Sequence, residues 1–201
     1  MFDTNNLLIS DNNYPSKNDA LLIPQVFSYF KAPVRNTIPS KVMTLLKVCE
    51  FIKSTRYQRQ TEILRGITDI KQARTFKATN FDYVTFSGTF TSRRNDALIK
   101  HSRLISIDFD HLADVNELKT ALIKDKYLEP DLVFISPLGH GLKCIASIDL
   151  EVAPHLEWFL AIEKYIKGAY HLDIDQACKD VSRACFLPYD SEVYINTKYI
   201  Q

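Results

Sequence analysis

Two carboxylates stand two residues apart at the end of an apolar run. Leu104 to Leu112 reads LISIDFDHL and carries Asp108 and Asp110. Side chains of a strand alternate between its faces, so these acids project together while Ile107 and Phe109 project the other way. Carboxylates that close repel each other unless a cation lies between them, and oxygen ligands of this kind suit Mg²⁺ or Mn²⁺. The plainer reading is a strand that ends at Asp108 and runs into a polar turn.

Two further segments carry chemistry. Ser136 to Lys143 reads SPLGHGLK. Gly139 and Gly141 allow backbone N–H groups to approach phosphate oxygens. Lys143 opens the following strand near the acids, where its ammonium can neutralise a triphosphate. An ordinary glycine hairpin with Lys143 paired to Asp108 is the alternative. The third segment holds Asp173 and Asp175, then Asp180 and Arg183. Arg183 begins a strand and can act as a phosphate clamp. A two-metal site needs shared carboxylates, and Asp175 is the acid assigned to it. The plainer reading is that Asp173 or Asp175 caps a short helix before Asp180 and that Asp180 pairs with Arg183, and Asp180 is assigned to structure. The five histidines and four cysteines show no zinc-ligand spacing, and no P-loop or dinucleotide fingerprint is present. The thiols read as reduced and structural, in a cytoplasmic protein.

Charge is unevenly placed along the 201 residues. Lys41 to Arg103 holds 13 Lys and Arg against 5 Asp and Glu, and Leu104 to Gln201 holds 9 against 16. A basic segment followed by an acidic one suits a protein that grips a polyanion with one part and metal ions with the other. Within the basic part, Lys77, Arg93 and Arg94 are the candidates for nucleic-acid contact. The aromatic residues between them read mainly as core. No run approaches a membrane span, and the opening MFDTNNLLISDNN lacks the pattern of a secretory leader.

The elements that must position these residues follow in order. Residues 1–34 read as an N-terminal arm, loose up to about residue 20 and apolar beyond it. Ser40 is the candidate cap of a helix carrying Val42, Leu45, Leu46, Cys49 and Ile52. A second helix is expected near Arg59 to Arg74, with Ile63, Leu64, Ile67 and Ile70 buried. Phe81 to Phe86 reads as a strand before a turn at Ser87-Gly88-Thr89. From Leu104 the order is strand, a helix opened by the capping box Asp114 to Glu117, strands at Leu132–Ser136 and Leu142–Ile148, a helix from Pro154 to Lys167 closed by Gly168, and a strand at Ala184–Leu187. This β-α-β-β-α-β order is that of split βαβ, ferredoxin-like domains, with the first and third strands side by side in mid-sheet. The fold class is therefore α/β of the α+β kind. Residues 35–201 form one domain, divided into a basic, partly helical module (35–103) and an RRM-like metal-binding module (104–201).

Taken together, the three segments resemble the archaeo-eukaryotic primase superfamily. Its pattern is an acid-x-acid strand, a glycine loop ending in a basic residue, and a third acid ahead of an Arg. More narrowly, TFSGTF (Thr85 to Phe90), LISIDFDHL and SRACFLPYDSEVYIN (Ser182 to Asn196) resemble the VirE N-terminal-like domain family over roughly residues 35 to 196. Those domains stand at the front of primase–helicase-type proteins of bacterial mobile elements. The superfamily usually has His where Lys143 stands and Ser where Leu138 stands. The resemblance implies that Asp108, Asp110 and Asp175 bind two Mg²⁺ or Mn²⁺ ions as the catalytic centre. It implies that Ser136, Gly139, Gly141, Lys143 and Arg183 hold a nucleoside triphosphate, and that the basic segment carries single-stranded DNA or RNA. The implied reaction is nucleotidyl transfer in DNA replication, with a helicase or primase-associated domain as C-terminal partner. The competing expectation is a nucleic-acid-binding module of the same fold without catalysis.

Overall fold

Short, densely apolar segments separated by polar turns fold here into antiparallel sheets covered by helices. The computed structural model describes residues 25–200. Numbered in chain order, the first sheet comprises β1 (Phe27–Phe30), β2 (Lys41–Met43), β3 (Tyr83–Thr85) and β9 (Cys185–Phe186), in the order β2-β1-β3-β9. A hairpin of β4 (Gly88–Phe90) and β5 (Leu98–His101) follows β3. The second sheet comprises β6 (Leu104–Phe109), β7 (Leu132–Ile135), β8 (Leu142–Ser147) and β10 (Tyr194–Ile195), in the order β10-β7-β8-β6. The helices are α1 (Leu45–Lys53), α2 (Gln58–Arg65), α3 (Ile70–Asn80), α4 (Val115–Ile123) and α5 (His155–Tyr170). The protein is thus mixed α/β with antiparallel sheets.

The two faces of the second sheet have different neighbours. Ile105, Ile107, Phe109, Val133 and Cys144 point to one face and pack with Leu118 and Leu122 of α4 and Phe159, Ile162 and Ile166 of α5. Leu104, Leu132, Phe134 and Ile145 point to the other, where they share a core with Phe27, Tyr29, Val84 and Phe86 and with α1. Each large side chain buried there stabilises the fold by roughly 1.5–3 kcal/mol. Strand alternation puts Asp108 on that second face, beyond Leu104 and Ser106, so the acid stands where the two sheets meet.

Several expected elements are shifted. Phe27–Phe30 is a buried strand inside the first sheet, so the folded body reaches back into the segment 1–34 read as an arm. The rest of that segment, residues 1–24, lies outside the described residues. Lys41–Met43 is a strand, and the helix starts one turn later than expected. Thr44, not Ser40, accepts the Lys47 N–H as its cap, and Val42 and Leu46 are exposed. The expected second helix is two, α2 and α3, broken after Gly66. Leu64 is buried, but Ile63 and Ile70 face solvent. The Asp114 cap is present: its carboxylate accepts the Asn116 and Glu117 N–H groups. α5 runs through Gly168 and ends at His171 in the left-handed region, φ 57°.

The largest change concerns the closing strand. β9, expected as the fourth strand of the second sheet, pairs with β3 instead, Tyr83 opposite Phe186 and Val84 opposite Cys185. Cys185 and Leu187 thereby enter the core shared by both sheets, and β10 takes the far edge beside β7. β6 and β8 are neighbours as expected, in register from Leu104 opposite Ser147 to Phe109 opposite Leu142. However, β6 is an edge strand rather than a central one. The modules 35–103 and 104–201 are therefore interlaced.

Candidate functional site

The pairing of β6 with β8 puts Asp108 directly opposite Lys143. Both are withdrawn from water, with side-chain exposures of 2% and 12%, and they form an ion pair. Arg183, just before β9, approaches the same oxygen, Asp108 Oδ2, at 3.4 Å and also grips the Asp175 carboxylate. Asp175 is fixed twice. Its N–H donates to the Asp108 carbonyl at 3.0 Å across the free edge of β6, and its carboxylate caps the short 3₁₀ turn Gln176–Lys179 by accepting the Ala177 N–H. That turn delivers Cys178, so that ligand atoms of Asp108, Asp175 and Cys178 all lie within 4.8 Å of one another.

Electrostatics follow from this packing. Burial works against the Lys143 ammonium, but the Asp108 carboxylate outweighs it and holds the lysine above its ordinary value. Arg183 is likewise raised, burial being overcome by Asp108 and Asp175 among its neighbours. Burial, then Asp108, pushes the Cys178 thiol up, so it carries its proton at neutral pH. Two acids face two cations, and Asp108 Oδ1 is buried without a hydrogen-bond partner. An orphaned carboxylate oxygen inside a protein is costly, and a cation is the group that suits it.

Above this charged floor lies a cleft of about 380 Å³ whose walls come from both sheets. Lys77 from α3, Arg93 from the β4–β5 connection, Lys143 and Arg183 bring four cations to it, against Asp110 and Asp180. Lys77 stands over the Phe186 ring at 5.5 Å. Burial and the neighbouring Lys143 lower its pKa, so an arriving anion would relieve it. Arg93 stacks on Tyr83 at 5.3 Å and donates to the Val34 carbonyl at 3.4 Å.

The structure thus brings together Asp108, Asp175, Lys143 and Arg183, with Ser136, Asp110, Lys77 and Arg93 lining the cleft. Other expected residues sit differently. Asp110 does not join the Asp108–Asp175–Cys178 cluster. It lies past the end of β6, and its Oδ1 would be 3.3 Å from a Cβ at Gly141. Arg94 pairs with Asp96 on the surface at 2.8 Å, where the chain turns: its N–H donates to the Ser92 carbonyl at 2.8 Å, so Arg93 and Arg94 do not share a side. Neither glycine of the loop lines the cleft. Gly139, at φ +89°, donates its N–H to the Ser136 carbonyl, and the Arg65 side chain packs where its Cβ would be. Gly141 is required because a Cβ would lie 2.4 Å from the Phe109 carbonyl. The Gly139 N–H thus closes the loop on Ser136, and Gly141 lets the chain pass close to the Phe109 carbonyl.

Two contributors escaped the sequence reading. Cys178 follows Asp175 by three residues, a spacing that one 3₁₀ turn brings onto a single side. Arg65 reaches the Ser136 and Pro137 carbonyls at 3.4 Å and shapes the loop, with no local signal to announce it. Of the residues expected in the core, Phe81, Phe86 and Phe90 are fully buried.

Residues 75–195 match the family model described as BT4734-like, N-terminal domain. That family is a different one from the VirE N-terminal-like family to which the motifs were likened. No curated protein and no solved structure matches the chain. Among the described residues, no helix is long and apolar enough to cross a membrane.

Proposed function

The chain belongs to the BT4734-like N-terminal domain family, and within that family we propose that it is a primase/polymerase-like domain that binds a nucleoside triphosphate and single-stranded DNA for nucleotidyl transfer. The observation that carries the reading is the cleft itself: Lys77, Arg93, Lys143 and Arg183 gathered at one opening, with Asp108 and Asp175 at its floor and Asp110 and Asp180 on its lining, a charge pattern that fits a polyphosphate held beside a metal ion. The likeness of the three motif segments to the archaeo-eukaryotic primase superfamily supports the same reading. So does the +8 segment from Lys41 to Arg103. On this reading the domain serves DNA replication by a mobile element in the cytoplasm, joined to a helicase or primase-associated domain.

The carboxylate oxygens of Asp108 and Asp175 would hold Mg²⁺ or Mn²⁺, for which the protonated Cys178 thiol is no ligand; Asp110 is the remaining acid for a second ion. Bound there, the metal supplies charge stabilisation for a phosphoryl group and a lower pKa for a coordinated hydroxyl. The chain's own residues do the rest. Lys77, Lys143 and Arg183 neutralise the triphosphate oxygens, and Ser136 can donate a hydrogen bond to one of them. The 3′-oxygen of the strand forms a bond to the α-phosphorus, the α–β phosphoanhydride bond breaks, and pyrophosphate leaves. The hydroxyl proton passes to solvent.

The test is a titration with thymidine triphosphate in the presence of Mn²⁺, followed by a pyrophosphate-release assay on a single-stranded template. Charge-assisted hydrogen bonds to phosphate are worth about 1.5–3 kcal/mol, so Lys77→Gln should weaken triphosphate binding roughly ten- to a hundredfold. Asp108→Asn should abolish pyrophosphate release. Strand and nucleotide binding without release would favour the second reading, a nucleic-acid-binding module of the same fold. That reading draws on the engagement of Lys143 by Asp108, which leaves the lysine committed to the protein. Equal triphosphate binding by wild type and Lys77→Gln would remove the cleft from both readings.

A further inference from the structure

A second basic recess adjoins the cleft. The loop between β1 and β2 frames about 390 Å³ of open space lined by Lys31, Arg35, Asn36, Thr37, Ile38 and Ser40. Lys31, Arg35 and Ile38 are exposed. No acidic residue lines the recess, and none occurs from residue 31 to residue 49, a stretch with four cations.

The loop is held in place from beneath. Asn36 donates through its side chain to the Ala32 carbonyl at 3.0 Å, and Tyr83 donates its hydroxyl to the Asn36 carbonyl at 2.6 Å. The Ser40 N–H reaches the Tyr29 carbonyl and the Val34 N–H reaches the Ala78 carbonyl, at 2.8 and 2.7 Å. Its polar backbone is thus largely satisfied inward, and the two cationic side chains face solvent on an ordered frame.

Cleft and recess are joined by two residues. Val34 lines the cleft and is followed directly by Arg35 in the recess. Arg93 lines the cleft, and its backbone N–H donates to the Thr37 carbonyl of the recess at 2.8 Å. Arg183, Lys77 and Arg93 of the cleft and Arg35 and Lys31 of the recess therefore lie on adjoining surfaces.

We infer that the β1–β2 loop is a binding site for the phosphodiester backbone of a single nucleic-acid strand, which leaves the cleft past Val34 and Arg93 and lies against Lys31 and Arg35. A basic surface free of acids suits a polyanion, and the exposed Ile38 beside it adds apolar contact. The inference rests on the proposed reading of the cleft.

The experiment measures binding of an oligothymidylate of about twelve nucleotides across a salt series, with thymidine triphosphate plus Mn²⁺ as a separate probe of the cleft. Three proteins are compared: wild type, Lys31→Gln/Arg35→Gln, and Lys124→Gln/Lys126→Gln, which loses two exposed charges after α4. For single strands each neutralised phosphate contributes about 0.7 to the slope of log affinity against log salt. The loop variant should lose about 1.4 from that slope, so its deficit against wild type should be about seven times larger at 50 mM than at 200 mM salt. The control variant should keep the wild-type slope, and all three should bind the triphosphate equally. An unchanged slope in the loop variant would overturn the inference, as would an equal loss in the control. Equal binding of a polyglutamate of matched charge through Lys31 and Arg35 would overturn the assignment to nucleic acid. If wild type binds the triphosphate but no oligonucleotide, the track fails and the nucleotide cleft stands; if it binds neither, the cleft reading fails with it.

Discussion

Replacing Lys143 with Met separates a structural lysine from a ligand-binding one. The substitution keeps the unbranched shape of the side chain, shortens it by one atom and removes its charge. Asp108, with a side chain 2% exposed, is left with one cationic neighbour, Arg183 at 3.4 Å. Breaking a buried ion pair costs about 3–5 kcal/mol, and because Arg183 still offsets part of the orphaned charge the lower end, about 3 kcal/mol, is expected. For a chain of this length a kilocalorie lowers Tm by about 2–4 °C, so the loss should be roughly 6–12 °C. The same change frees a carboxylate oxygen, so divalent cations should bind more tightly. Calorimetric melting with and without Mn²⁺ reads both effects. At a hundredfold excess over Kd a bound ion adds about 2.7 kcal/mol, and Mn²⁺ should raise the Tm of the variant more than that of wild type. An unchanged Tm would show that the pair contributes nothing in solution. Equal Mn²⁺ stabilisation of the two proteins would show that Lys143 does not compete for the acid.

Other expectations can be checked alongside. Gly141→Ala would drive a Cβ to 2.4 Å from the Phe109 carbonyl, and chemical denaturation should show a loss of about 2–4 kcal/mol, typical of forced backbone movement. Arg93→Gln should weaken single-strand binding while Arg94→Gln leaves it unchanged, since Arg94 is engaged with Asp96 outside the cleft; equal losses would contradict that placement. His101 is held down to about 4 by burial and by His155, whose Nδ1 lies 3.1 Å from the His101 Nε2. The folded state therefore binds fewer protons than the unfolded one between that value and about 6.5. Stability should be full above pH 6.5 and fall by on the order of 2 kcal/mol as pH drops towards 4, after allowance for partial exposure. A His101→Gln variant should lack that part of the pH dependence in thermal melts.

What the sequence made legible was local. The LISIDF run, its pairing with Leu142–Ser147 and the Asp114 cap each depend on residues within a few positions, or on one strong hydrophobic pattern. Lys41–Met43 was hidden because Val42 fits the helical spacing of Leu45, Cys49 and Ile52, although it lies on a strand. The partner of β9 was illegible for a different reason. Two residues carry too little pattern to choose a sheet, and the choice is made by the open edge of β3 and by space for Cys185 and Leu187 in the shared core. In the site, the acids Asp108 and Asp175 and the cations Lys143 and Arg183 were readable as residue types. The Lys143–Asp108 pair stood there as the alternative reading and is the one found, whereas the sharing of Arg183 between Asp108 and Asp175 depends on the course of the chain after α5 and had no local signal.

The crossing of β9 from one sheet to the other has a mechanical consequence. Arg183 grips Asp108 and Asp175 on the second sheet, and two residues later Cys185 is stitched to Val84 of the first. The arginine therefore ties the carboxylates of the second sheet to the strand that closes the first, so a substitution that releases Arg183 disturbs the seating of β9 as well as the charge balance of Asp108 and Asp175.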